Sequence, residues 1–266
     1  MNAAAPFDSL ASVYDCSFSD SEIGRHMRAA TWRRMDAAFQ PGQHVLELNC
    51  GTGEDALHLA RRGIQVAATD QSEEMLNVAR AKIGRAGLTG RVTFHRLAIE
   101  ELPDLEGGEF DGVLSNFGGL NCVEDVRSAA ERLASILRPG ARALLCVMGP
   151  VVPWEWGWFL AGGQPRKAVR RLRRGGVRWR GLTVRYPSIR AIRRAFAPHF
   201  VQRRVSALGV LLPPTYVDAP WARHPAVLRA LDRFERRIET FGPLPWLADH
   251  FLIELERVGP DARGAR

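Results

Sequence analysis

The sequence predicts a three-layer α/β fold, a mostly parallel β-sheet with helices on both faces. Three observations carry that expectation. Short apolar runs alternate with helical patterns between residues 44 and 148. The first of these runs passes directly into a glycine turn and a helix, and 266 residues are enough to bury a large core without disulfide or metal staples.

Residues 8 to 39 read as helical, with Ile23, Met27, Ala30 and Met35 spaced by three to five, and Pro41-Gly42 ends the segment. HVLELN then reads as a short buried strand, CGTG as a turn, and EDALHLARRG as a helix closed by Gly63. IQVAATD is a second strand. Ser72, followed by Glu73 and Glu74, starts the helix SEEMLNVARAKIG, since its hydroxyl can cap free amides and the acids suit the positive helix end. RVTFHRLA is a third strand and FDGVLSN a fourth. Glu124 to Leu137 reads as a helix stopped by Pro139-Gly140, and ARALLCVMG as a fifth strand.

After Gly149 the alternation breaks. The chain divides into an N-terminal helical lid (1–40), a ligand-binding core (41–148), an Arg/Trp-rich insertion expected to cover an acceptor (149–186), a stretch completing the core (187–258) and a disordered tail (259–266). The completing stretch holds a helix from Ser188 to Phe196, a strand near Phe200 to Ala207, and a second insertion (208–249) with a helix from Pro225 to Thr240. HFLIELERV is its last strand.

Composition excludes several classes. No apolar run approaches the roughly 18 residues of a membrane span, and MNAAAPFDSL lacks the pattern of a signal peptide, so a cytoplasmic protein is expected. Cys16, Cys50, Cys122 and Cys146 form no CxxC or His-spaced set, so no metal site is expected, and no feature marks one as a catalytic thiol. The net charge is +8, and of 37 basic residues only Lys82 and Lys167 are lysine. From Trp156 to Val217 there is no Asp or Glu, while thirteen arginines and Lys167 fall there. That region should attract something anionic.

A strand entering Gly51-Thr52-Gly53 and then a helix makes a ligand site at the carboxyl edge of the sheet, where glycine lets the ligand approach the backbone. GTGEDA also satisfies the GxGxxA dinucleotide pattern, which keeps an NAD-linked oxidoreductase open. Asp70 ends the second strand, where a carboxylate can accept from both ribose hydroxyls. Glu47, inside the first strand, is either a group bonded to amides of the turn or a site wall facing a cation.

VLELNCGTG, then ATDQSEEML, then FDGVLSNFGGLNCV resembles the ordered motifs of class I S-adenosylmethionine-dependent methyltransferases of the small-molecule type. The resemblance covers about residues 8 to 148, and HFLIELER is similar to the family's final antiparallel strand. It implies a Rossmann-like seven-stranded sheet, with S-adenosyl-L-methionine lying across the carboxyl ends of the first four strands. On the positions that match, it implies Glu47, Asn49, Gly51 and Gly53 around the methionine moiety, and Asp70 on the ribose. Gln71 and Met75 would stand beside ribose and adenine, with Ala98, Ile99 and Glu100 bordering the adenine. Ser115, Asn116 and Phe117 would line the methyl region. Asn49 replaces the first glycine of the common pattern, a position where asparagine tolerates left-handed angles. FDSLASVYD resembles the lid of such enzymes. Tyr14 is then either near the cofactor carboxylate or a half-buried aromatic, and Arg28 either its ion-pair partner or a solvated helix residue.

The acceptor side stays open. In-line methyl displacement needs positioning above all, and a base only if the acceptor loses a proton. His250 and Tyr216 are the candidates for such a base and for acceptor contact, although His250 beside Asp249 also reads as a structural pair. Trp154, Trp156 and Trp158 adjoin the basic RKAVRRLRR. They form an acceptor lid, an interfacial element on anionic lipid, or a packed cap with a solvated arginine face. The arginine cluster at 166–204 would accordingly meet an anionic membrane surface or an anionic acceptor. No RNA module accompanies the charge, which speaks against nucleic acid. The expected function is methyl transfer to a small, partly hydrophobic metabolite (natural product, quinone or lipid-like). A membrane-associated cofactor-binding protein without turnover is the non-enzymatic alternative.

Overall fold

The computed structural model describes residues 7–104 and 109–259. The first six residues of the N-terminal segment and, beyond Gly259, the expected tail lie outside the described residues.

The N-terminal segment is not one helix. A 3-10 turn at Asp8–Leu10 and a π turn at Asp15–Ser19 precede α1 (Glu22–Ala38). The break falls at Ser21, whose backbone is extended and whose Oγ accepts from the Gly24 amide, so it caps a new helix instead of continuing the old one. Then follow β1 (His44–Leu48), α2 (Glu54–Arg61), β2 (Gln65–Asp70), α3 (Glu73–Arg85), β3 (Val92–Arg96), β4 (Phe110–Ser115), α4 (Val126–Ile136) and β5 (Leu137–Met148). Ser72 caps α3 by accepting from the Met75 amide. The helix α4 ends one residue earlier than the sequence predicts. Leu137 already pairs with Phe110, and Pro139-Gly140 sits in a register shift before Gly112 meets Arg142.

The first insertion holds α5 (Pro153–Ala161), α6 (Pro165–Ala168), a 3-10 turn at Arg170–Leu172, and a two-stranded hairpin of β6 (Val177–Trp179) and β7 (Leu182–Val184). After it come α7 (Ile189–Phe196), β8 (Phe200–Leu208), α8 (Asp218–Trp221), α9 (Pro225–Ile238) and β9 (His250–Arg257).

Seven strands form one sheet in the order β3-β2-β1-β4-β5-β9-β8. The pairs among β1 to β5 are parallel, and β9 is antiparallel to both its neighbours. Side-chain alternation sorts the core into two layers. Val45, Val66 and Leu144 pack with Met35 of α1, Phe39 just beyond it, and Leu76 and Ile83 of α3. Leu46, Leu48, Val113 and Ile253 pack with Leu133 of α4 and Ile192 and Phe196 of α7. Each such side chain, fully buried, contributes about 1.5–3 kcal/mol. The order reverses between β1 and β4, and at that switch point the carboxyl ends of the two strands open a crevice.

Candidate functional site

A cavity of about 440 Å³ fills this crevice. Its floor on the β1–β2 side is built by the glycine turn. The Gly51 amide donates to Asp70 Oδ2 at 2.9 Å and the Ser72 amide to Asp70 Oδ1 at 2.9 Å, so one carboxylate ties β1, β2 and α3 together. Asp70 is buried at the end of β2. Burial raises its pKa, with the bonds from Ser72 and Gly51 working against that shift. Each oxygen keeps a second lone pair for a ligand hydroxyl.

Of the residues the sequence nominates, Tyr14, Asn49, Gly51, Asp70, Gln71 and Met75 line the cavity, and Ile99, Glu100, Asn116 and Phe117 join them. Asn49 has φ 53°, the left-handed conformation expected of it. Phe117 at φ 45° is followed by Gly118 at φ 91°, a turn that re-aims the chain beyond β4. Tyr14 belongs to the N-terminal segment, which docks through Asp15 on Thr52 (2.6 Å) and Lys82 (2.8 Å) and through Asp8 on Ser72 (2.5 Å).

The other nominees do not line it. Gly53 has φ 77°, and a Cβ there would lie 2.8 Å from Ala79 Cβ. Its glycine serves the close packing of α2 on α3, not a ligand. At Gly51, with φ 52°, a Cβ would meet nothing within 4 Å. We therefore expect Gly51→Ala to weaken binding of S-adenosylhomocysteine, the ligand class the sequence resemblance implies, and to cost about 1 kcal/mol of stability through its positive φ alone. Gly53→Ala should instead lower stability by about 1–3 kcal/mol and leave the affinity of the folded protein unchanged. Calorimetric titration and thermal unfolding of both variants check this pair, and the reverse pattern would refute it.

Arg28 is buried and already paired, donating to Asp55 Oδ1 at 2.8 Å and Ser19 Oγ at 3.2 Å, so it is neither a solvated residue nor a cavity cation. Burial works against its charge, yet the Asp55 carboxylate holds its pKa above the ordinary arginine value. Asp55 also accepts from Trp32 Nε1 at 2.7 Å and Asn116 Nδ2 at 2.8 Å, which positions the residue before Phe117. Glu47 and Ser115 lie behind the cavity at the ends of β1 and β4, and Ala98 is tied by its amide to Glu101 Oε2 at 2.8 Å. Burial pushes the Glu47 carboxyl well above its usual range, with Asp55 adding and Arg28 opposing.

Trp154, Trp156 and Trp158 do not wall the cavity either. Trp154 packs edge-on against Trp221 with ring centroids 5.8 Å apart, and Trp158 faces outward. Tyr216 stacks on Phe159 outside the cavity. His250 is buried against Phe117, with Nδ1 3.1 Å from Asp249 Oδ2 but not aligned for a hydrogen bond. Its neighbour Asp249 pairs with Arg171 Nη2 at 2.6 Å. Burial opposes the Asp249 charge, but Arg171 and His250 hold its carboxyl well below the usual carboxylate range. His250 thus lies beside the buried Asp249–Arg171 ion pair and outside the cavity lining.

The other half of the cavity is lined by residues the sequence reading does not name singly, although most fall within the insertion (149–186) it expects to cover the acceptor. Val177, Trp179, Leu182 and Val184 of the hairpin line it, with Val123 and Met148 opposite. Phe7 also lines it and contacts Trp179 at 5.3 Å between ring centroids, so the N-terminal segment and hairpin meet across the opening. Two polar side chains stand in this half, Arg170 and Tyr186, the tyrosine ring lying under the Arg171 guanidinium at 5.1 Å. Burial raises the Tyr186 pKa, with Arg171 and Arg170 opposing. The buried Asn121 fixes the hairpin's base, its Nδ2 donating to the Met148 and Arg185 carbonyls at 3.1 and 2.6 Å. All four cysteines are free. Cys122 lines the cavity with its thiol pKa raised by burial, and Cys146 is pushed up to about 12, so neither is an activated thiolate.

Around the carboxyl ends of β1 and β4, Glu47 Oε2, Asn49 Oδ1 and Ser115 Oγ are buried without a hydrogen-bond partner. Of these only Asn49 lines the cavity, where a costly unpaired acceptor fits a ligand bearing an amino group. A sheet with this order, a carboxylate at the end of β2 and a glycine turn after β1 define a nucleoside-cofactor-binding α/β protein.

A methyltransferase-domain family model matches residues 45–140. The demethylmenaquinone methyltransferase of Thermobifida fusca is 35% identical over 170 residues, 62% of this chain and 70% of that protein. The demethylmenaquinone methyltransferase of Clavibacter sepedonicus is 36% identical over 153 residues, 56% of this chain but only 60% of that protein's length. The fold is similar to a crystal structure of an S-adenosylmethionine-dependent methyltransferase from Mesorhizobium loti, with TM-score 0.56 and 20% identity over 86% of this chain and 98% of the other. The chain belongs to the class I S-adenosylmethionine-dependent methyltransferases, and its cofactor is S-adenosyl-L-methionine. The NAD reading of GTGEDA falls with this membership.

Proposed function

We propose that the protein transfers a methyl group from S-adenosylmethionine to a small, partly hydrophobic acceptor held under the β6–β7 hairpin. The observation that carries this is a single cavity with two unlike halves, Gly51 and Asp70 at one end and an apolar hairpin wall at the other. The bound cofactor supplies the electrophilic methyl carbon. Asp70 accepts from the ribose hydroxyls, and Gln71, Met75, Ile99 and Glu100 border the nucleoside. Tyr14 and the unpaired Asn49 Oδ1 face the methionine end. Asn116 and Phe117, fixed through Asp55, form the wall nearest the reacting atoms. Val177, Trp179, Leu182 and Val184 hold the acceptor and exclude water, which lets positioning supply the catalysis. The Tyr186 hydroxyl makes no hydrogen bond within the described residues and orients an acceptor oxygen. Relatives that are demethylmenaquinone methyltransferases by name support a quinone-like acceptor.

The 166–204 arginine cluster admits an anionic acceptor or an anionic membrane. Only Arg170 of it lines the cavity, which favours the membrane. Among the described residues no helix is long and apolar enough to cross a bilayer, and a cytoplasmic protein resting on the membrane surface fits that.

The test is calorimetric titration with S-adenosylhomocysteine and with NADH, followed by transfer of labelled methyl from S-adenosylmethionine to a panel of hydroxynaphthalenes. Binding of the first ligand, and label in an extractable aromatic product, are expected. Binding of NADH alone would overturn the reading, and cofactor binding without turnover on any apolar acceptor would leave the non-enzymatic alternative.

A further inference from the structure

The first insertion exposes four large apolar side chains within fifteen residues: Trp158 at 48%, Leu160 at 57%, Val169 at 50% and Leu172 at 49%. They belong to α5, the residue after α6, and the 3-10 turn that follows. A cluster of this kind marks a surface built to meet an apolar phase. It stands beside the largest charge imbalance in the chain. Of the fourteen basic residues between Trp156 and Val217, Arg170, Arg171, Arg185, Arg203 and Arg204 have carboxylate partners. The other nine have none among the described residues. Four of them, Arg166, Lys167, Arg173 and Arg174, are exposed and interleave with the apolar four.

The layer beneath is rigid. Arg171 is buried, paired with Glu155 and Asp249, and donates to the Asp249 and Gly149 carbonyls at 3.1 and 3.3 Å. This anchor holds the segment on the end of the sheet, so its outer face is presented as a fixed surface. A stretch in which exposed apolar side chains interleave with exposed basic ones matches the boundary of an anionic bilayer, where indole and leucine side chains enter the headgroup–acyl region and guanidinium groups meet phosphates. A second copy of the chain would bring like charges together. A nucleic acid would satisfy the charge but leave Leu160, Val169 and Leu172 in water.

The geometry points to an interfacial lipid-binding surface, running from Trp158 to Arg174, that seats the protein on anionic phospholipid with the acceptor cavity opening beside the bilayer. The same insertion continues into the β6–β7 hairpin. Trp179 lines the cavity and is also 40% exposed, so the hairpin separates the cavity from the outside next to this surface. A hydrophobic acceptor dissolved in the membrane then reaches the cavity without crossing water. This last step rests on the methyltransferase reading, whereas the docking itself does not.

Flotation of the full chain with phosphatidylglycerol vesicles and with phosphatidylcholine vesicles, at low and high salt, tests the surface. We expect flotation on phosphatidylglycerol at low salt, its loss at high salt, and little on phosphatidylcholine. Arg173→Glu with Arg174→Glu should weaken partitioning at least about tenfold. Arg61→Glu with Arg85→Glu makes the same net-charge change on exposed helix positions of the core and should leave most of it. Trp158→Phe should remove the blue shift of tryptophan emission that accompanies binding. Absence of flotation at low salt, or equal losses in the two double variants, would overturn the proposal. Displacement of the protein from vesicles by a homopolymeric RNA would reassign the surface to nucleic acid. S-adenosylhomocysteine titration of the same samples reports separately on the methyltransferase reading.

Discussion

Asp55→Ala is expected to destabilise the protein by about 3–5 kcal/mol, because it leaves a buried arginine uncompensated. Asp55 is 4% exposed and Arg28 7% exposed, and the pair is closed at 2.8 Å. Without the carboxylate, Arg28 keeps only Ser19 Oγ and the faces of Phe18 and Phe117, at 5.6 and 5.0 Å. Trp32 Nε1 and Asn116 Nδ2 lose their acceptor at the same time. The loss should appear as a lower denaturant midpoint at unchanged slope. Replacing Arg28 by Met as well should recover much of it, since the main cost is the unpaired charge and not the missing contact. A loss below about 1 kcal/mol would mean that Arg28 is effectively solvated like a surface pair. The expected effect on the site is indirect. Asn116 would no longer be held, and the strained Phe117 turn beside the cavity would be freer to relax.

Asp55 was invisible as a functional residue in the sequence, and the reason is general. In GTGEDA it is one of two acids in the first turn of a helix, where acids are favourable in any case. Nothing local says that it will face α1 and close on Arg28, twenty-seven residues earlier. The core strands were legible because burial imposes a period and glycine punctuates it. Val45 to Gly53 announces a strand, a turn and a helix, and Ser72 announces its own cap. Asn49 could be assigned a left-handed backbone because the glycine it replaces stands in a turn.

The acceptor wall was harder to see. Aromatic density drew attention to WEWGWFL, but a proline-started helix turns those rings toward Trp221 or the outside. The wall we propose is VRWRGLTV, in which Val177 and Trp179, then Leu182 and Val184, line the cavity and alternate with other residues about Arg180-Gly181. Both turn residues have positive φ, 46° and 86°, as a two-residue hairpin of the type I′ kind demands. A period of two across such a turn was the available signal. It was masked by the arginines, whose charge invites a reading of the whole stretch as solvated surface. The roles of Trp179 and Tyr186 then follow from tertiary placement, which no local pattern encodes.

Asp70→Asn is expected to weaken S-adenosylhomocysteine binding by about 1.5–3 kcal/mol for each charge-assisted bond lost, on the order of tenfold to a hundredfold each. Asp70→Ala should do the same and also destabilise the empty protein, because the Gly51 and Ser72 amides both donate to this carboxylate and would be left without an acceptor. The asparagine variant keeps an acceptor for only one of those amides and sets its NH2 against the other, so it too loses stability, though less than the alanine variant, and thermal unfolding of the empty proteins measures that part separately. The pH dependence adds an independent check. Burial raises the Asp70 pKa in the empty protein, so a ligand that requires the charged carboxylate should bind more weakly as pH falls toward that raised value. Stability of the empty protein has the opposite sign. A carboxyl that holds its proton more tightly folded than unfolded contributes stability below the unfolded value, and this is lost as pH rises through the folded one. Calorimetry across the acid range, on the parent and on Asp70→Asn, should therefore show a pH-dependent affinity that flattens in the variant. An unchanged affinity in a folded Asp70→Asn protein would remove Asp70 from the ribose and with it the placement of the nucleoside at this end of the cavity.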